Sequence, residues 1–146
     1  HVWSNFASNY FNLNIQSFSG GTRITSFHRK TIKTLQKVGF KFQIETFSHS
    51  NPIYLISFNG SKKTMLGFSK LYDDAENKKP FIAITTCSIA DENYTSTSNT
   101  LNKYQLYFND LKNFNEPEFQ NKIYFETNKQ IAAEIHTIFK IVNNSI

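Results

Sequence analysis

Apolar residues recur at helical spacing at both ends of the chain, and they alternate or cluster in short runs between. Val2, Trp3, Phe6 and Tyr10 share one helical face, which predicts an amphipathic helix from the first residues onward. Ile15 to Phe18 reads as a short strand, with Gly20-Gly21 as a tight turn at its carboxyl end. In "SFHRKTIKTLQKVGF", Ile32, Leu35 and Val38 keep helical spacing, Ser26 is placed to cap the start, and Gly39 stops the helix. "KFQIETFS" then alternates Phe42, Ile44 and Thr46 against Lys41, Gln43 and Glu45. "NPIYLISFN" predicts a second strand, "NGSKK" a turn and "TMLGFSK" a third strand, so that 40–70 makes an antiparallel excursion. "YDDAENKKP" is a polar loop, and "FIAITTC" is continuously apolar, as expected of a strand covered on both faces. "KYQLYFND" predicts one more strand. From Pro117 to Val142, Ile131, Ile135, Ile138 and Val142 mark one helical stripe, with Ala132 and Phe139 beside it.

This order of elements predicts one α/β domain spanning 1–146 with a short parallel sheet. Ligands in such sheets bind beyond the carboxyl ends of the strands, which directs attention to 19–22, 87–94 and 109–112. A 39% hydrophobic content, with 15 Phe and 7 Tyr, is enough for a core in 146 residues. The net charge of +5 raises nucleic acid as a partner. Its densest cluster, however, is Arg29, Lys30, Lys33 and Lys37, on the polar side of a predicted helix, so a solvated face is preferred and no nucleic acid is expected. No apolar run reaches the roughly 18 residues of a membrane span. With Cys87 the only cysteine, no internal disulfide can form, and a cytoplasmic location is expected. Asp73-Asp74 and Asp91-Glu92 lack the spacing of an oxygen cage, and His1, His28, His49 and His136 show no metal-ligand spacing, so no metal or other cofactor is expected. The chain opens on His1, inside an element with no preceding cap, and the natural protein is expected to continue upstream.

"SFSGGTRITSFHRKTIKTLQKVGF", "NPIYLISF", "GFSKLYDD", "TTCSIADENY" and "LYFNDLKNF", in that order and spacing, resemble the low-molecular-weight protein-tyrosine-phosphatase family, and within it the branch that includes thioredoxin-coupled arsenate reductases. The resemblance covers nearly the whole chain. It implies a doubly wound three-layer α/β fold with a central four-stranded parallel sheet, and a Cys-x5-Arg phosphate loop leading from an N-terminal strand into the first helix. In such a loop, backbone N–H groups and the Arg hold the oxyanion and the Cys thiolate attacks phosphorus. His1 lies where that helix begins, so this chain lacks the first strand and the nucleophile loop.

By the resemblance, Asp110 is the general acid, although Leu111 stands where the family has a proline. Ser19, Gly20, Gly21 and Thr22 match the turn that supports the phosphate loop, and Arg23 beside them adds positive potential. Cys87 matches the first of two resolving cysteines, but Tyr94 occupies the position of the second, so Cys87 reads as a small strand-end residue or a residual redox position. The function implied is phosphomonoester hydrolysis through a phosphocysteine, or the related arsenate reduction. The expected partners are a phosphorylated protein or small phosphomonoester, arsenate, and thioredoxin for a reductase. The alternative is a degenerate, non-catalytic binding module of the same fold.

Overall fold

The computed structural model describes residues 1–86, 90, 92, 94, 99–108 and 117–146. It is a mixed α/β structure with three helices and two small sheets among those residues: α1 (Val2–Tyr10), α2 (Arg29–Lys37), β1 (Phe40–Thr46), β2 (Ile53–Phe58), β3 (Met65–Gly67), β4 (Phe81–Thr85), β5 (Thr100–Gln105) and α3 (Pro117–Asn144).

The excursion through 40–70 is an antiparallel meander, β1-β2-β3. Phe40 pairs with Phe58 and Phe42 with Ile56, while Ile56 also pairs with Met65, so apolar side chains share one face. Gly39 adopts φ +107° between α2 and β1, a conformation that suits glycine and lets the chain reverse directly from helix to strand. β4 and β5 form a separate parallel pair, in which Ile84 lies opposite Tyr104. Its ladder continues beyond the strand as Leu106 N–H donates to Thr85 O at 2.9 Å.

Edge-to-face aromatic contacts dominate the main core. Val2, Leu35, Phe40 and Ile56 are buried together, ringed by Trp3, Phe6, Phe27, Phe42 and Phe58. Phe40 meets Trp3 at 5.0 Å and Phe58 at 4.9 Å, both T-shaped. A second cluster joins Ala7 of α1 to Ile135 and Phe139 of α3. α2 lies against both β1 and α3, where Lys37 Nζ sits 5.0 Å from the Phe125 ring centroid.

Five expectations need correction. Ile15–Phe18 forms no strand, because the polar groups there are taken up by side chains of α1: Asn5 bonds both backbone groups of Ser17, and Ser8 Oγ accepts from Ile15 N–H. The cap of α2 is His28, not Ser26, since Thr25 N–H is held by Ser69 Oγ and the loop runs two residues further before the helix begins. β4 is covered on one face only: Ala83 and Thr85 are buried, whereas Ile82 and Ile84 are about half exposed. The buried stripe of α3 runs through Ile131, Ile135 and Phe139 rather than Ile138 and Val142, the 4-residue step that suits contact with α1. β5 also begins three residues earlier than "KYQLYFND" suggested.

Phe40 is 2% exposed at the centre of the aromatic cluster. Phe40→Ala is expected to lower unfolding free energy by about 3–5 kcal/mol, measured by urea denaturation.

Candidate functional site

Two clefts flank the turn that the sequence singled out. Ser19–Thr22 sits on the surface, yet its backbone is fixed. Gly21 N–H donates to Lys70 O at 2.9 Å and Gly21 O accepts from Tyr72 N–H at 3.0 Å, a parallel bridge between Gly21 and Leu71. The bridge brings the two chains so close that a Cβ on Gly20 would lie 2.4 Å from Tyr72 Cα and 2.6 Å from Leu71 O. Only glycine fits at that approach.

Ser19 Oγ lies 2.6 Å from His1 Nδ1, so the turn and the start of α1 meet. The first cleft, about 270 Å³, opens here, between His1, Asn5 and Phe18 on one side and Leu66, Phe68 and Lys70 on the other. Asn5 Nδ2 donates to Ser17 O at 2.7 Å and its Oδ1 accepts from Ser17 N–H at 3.1 Å. The reciprocal pattern recurs at Asn51, which bonds Ser69 O at 2.7 Å and Ser69 N–H at 2.9 Å. Each amide does for one residue what a neighbouring strand would do for several.

The α-amino group of His1 is buried at this cleft, and desolvation of its charged form lowers its pKa from 8.0 to about 6. Among the described residues, His1 Nε2 is also buried without a hydrogen-bond partner. The α-amino group is the N-terminal charge of a helix whose dipole already favours negative charge at that end.

Lys70 lines both clefts, together with Ser19 and Phe68. It is 7% exposed, with its ammonium 4.9 Å from the Phe18 ring centroid and 5.3 Å from that of Phe68. Sequence reasoning passed over it because a single lysine in "FSKLYDD" has no periodic signature. The aromatic at Phe68, two positions before it, is the one local hint. The Asn5 and Asn51 pins were missed for the same reason.

The remaining expectations distribute as follows. Arg23 lines the second cleft, beside the turn. Asp73-Asp74 belongs to a turn in which Asp74 Oδ1 accepts from Glu76 N–H at 2.9 Å, the common use of Asp in loops. Tyr94 packs on Tyr72 at 5.0 Å between ring centroids, and its hydroxyl bonds Thr100 Oγ1. Cys87, Asp91, Asp110 and Leu111 lie outside the described residues. Among the described residues no helix is long and apolar enough to cross a membrane. Compared with known proteins, the chain matches no family model, no curated protein and no solved structure.

Two outcomes follow from this geometry. Gly20→Ala must separate the turn from Leu71-Tyr72, and a loss of about 1–3 kcal/mol is expected in thermal or urea unfolding. For the α-amino group, the folded pKa of about 6 lies below the unfolded 8.0, so the unfolded chain binds more protons in that interval. A chain with a free α-amino group at His1 therefore gains stability as pH increases from about 6 to 8, by roughly 2–3 kcal/mol. Acetylation of the amino group should remove that slope in urea titrations across the same range.

Proposed function

We propose that this chain is the α/β body of a cysteine-dependent phosphomonoester hydrolase of the protein-tyrosine-phosphatase type, with its nucleophile loop upstream of His1. The observation that carries this reading is the meeting of Ser19 with His1 at the start of α1. A Cys-x5-Arg loop leading into α1 would pass beside the fixed Ser19–Thr22 turn, where Ser19 Oγ is already within hydrogen-bond distance of the helix start. The first cleft, where the Asn5 amide stands in for strand pairing to Ser17, is suited to the backbone of such a segment.

The finer fold belongs to the same proposal: the segment would join the chain into a doubly wound sheet of the low-molecular-weight phosphatase kind. In the reaction, the thiolate, stabilised by the N-terminus of α1, attacks phosphorus while the bond to the leaving oxygen breaks. Asp110 gives that oxygen its proton and then, as carboxylate, takes one from the water that releases phosphate from the phosphocysteine. Tyr94, engaged with Tyr72 and Thr100, stands where the related reductases carry their second resolving cysteine, which favours hydrolysis over thioredoxin-coupled arsenate reduction. The substrate would be a phosphorylated protein or a small phosphomonoester.

The full-length protein is expected to hydrolyse p-nitrophenyl phosphate, and Asp110→Asn to lower kcat by about 10²–10³-fold with KM little changed. An intact Cys-x5-Arg loop without detectable hydrolysis would instead establish the non-catalytic binding module, the reading that Leu111 in place of the family's proline favours.

A further inference from the structure

The second cleft lies on the other side of the turn and shares Ser19, Phe68 and Lys70 with the first, but its other groups differ. It is lined by Gly20, Gly21, Arg23, Ser26, His28 and Lys70, with the N-terminal turn of α2 at one end. α2 is nine residues long, and its cap, His28, makes no side-chain hydrogen bond to the helix. Among the described residues, the cap supplies no side-chain acceptor to the first N–H groups of α2, at the end where the helix dipole is positive. No Asp or Glu among the described residues lines this cleft, whereas Glu76 lines the first one.

Lys70 is the independent observation. Its side chain is more than nine-tenths buried, and it lines the cleft from below. Among the described residues its ammonium makes no hydrogen bond and no ion pair; its recorded neighbours are the faces of Phe18 and Phe68. Ring faces attract a cation but accept none of its three N–H donors, which are left to water or a ligand in the clefts. A buried lysine is ordinarily paired with an acid or an acceptor. Here the natural acceptor would come from outside the protein.

We infer that the second cleft is a binding site for a phosphate group, seated between Lys70, Arg23 and the N-terminal N–H groups of α2. Lys70 supplies charge from the floor, Arg23 can present two parallel donors, and Ser26 and the α2 N–H groups complete the tetrahedral set of donors. The volume, about 270 Å³, is several times the roughly 30 Å³ share of one water molecule. A phosphate with part of its hydration shell therefore fits. This site is distinct from the proposed nucleophile loop, which would lie at the first cleft, and it does not depend on the hydrolase reading. In a hydrolase it would hold a second phosphate of the substrate or retain product.

The test is an NMR titration of the full-length protein with inorganic phosphate at constant ionic strength, following amide shifts and the Lys70 ε-methylene, with p-nitrophenyl phosphate hydrolysis assayed separately. Saturable shifts are expected at Gly20, Gly21, Arg29, Lys30, Thr31 and Lys70, with a dissociation constant of about 1–10 mM. Lys70→Met should weaken binding at least about tenfold, the loss of one charge-assisted hydrogen bond, and Lys70→Arg should retain most of it. Should Lys70→Met fail to fold, the wild-type Lys70 ε-methylene shift and a weakening by Arg23→Gln decide the matter. The inference is overturned if chloride produces the same shifts, if saturation is absent up to about 50 mM, or if Lys70→Met binds phosphate as tightly as wild type. Loss of hydrolysis with this binding intact would count against the hydrolase reading alone.

Discussion

Trp3 is the contact on which the arrangement of the candidate site depends. Its indole packs edge-on against Phe40 of the meander and borders the second cluster, where Ala7 meets Ile135 and Phe139 of α3. Its Nε1–H donates to Asn128 Oδ1 at 2.9 Å, so the ring is oriented as well as buried. One side chain thus sets α1 against both the sheet and the long helix. The orientation of α1 in turn places His1 beside Ser19, and Asn5 and Ser8 beside the segment at 15–17. The first cleft is a consequence of where this helix lies.

The turn between the two clefts is held from three directions by different means. A backbone bridge fixes Gly21 to Lys70 and Tyr72, close approach admits no side chain at Gly20, and a hydroxyl reaches His1 from Ser19. An exposed segment fixed in this way is a rigid platform rather than a loop. Its flanks differ in electrostatic character. Toward α1 the neighbours are a buried amine, amides and Glu76; toward α2 they are Arg23, His28 and uncapped N–H groups.

Much of the fold was legible because periodicity and punctuation agreed. α1, α2, the three strands of the meander and α3 all follow from apolar spacing with Gly39 and Gly60 as breaks. The failures share a physical cause. Periodicity reports which residues would be apolar on one face, but not what covers that face, so Ile82 and Ile84 looked interior and are half exposed. It also says nothing of side chains that replace backbone pairing, so Ile15–Phe18 looked like a strand although Asn5 and Ser8 take up its polar groups. Of the site, the glycine turn was readable from "SGGT". Lys70 was not, because its role comes from two aromatic rings that only the tertiary fold brings around it.

The paired amide contacts of Asn5 and Asn51 bear on how the protein ages. Each amide donates to a carbonyl and accepts from an N–H of the same residue, a match that aspartate cannot make, since a carboxylate would face the carbonyl oxygen with no proton to offer. Deamidation would therefore convert a pin into a repulsion. At Asn51 the next residue is Pro52, whose nitrogen carries no hydrogen and cannot close the succinimide ring through which asparagine is usually lost. At Asn5 the following nitrogen is held in helical geometry within α1, turned away from the side chain it would have to attack. The two positions where hydrolysis of an amide would do the most harm are thus ones where its common route is obstructed.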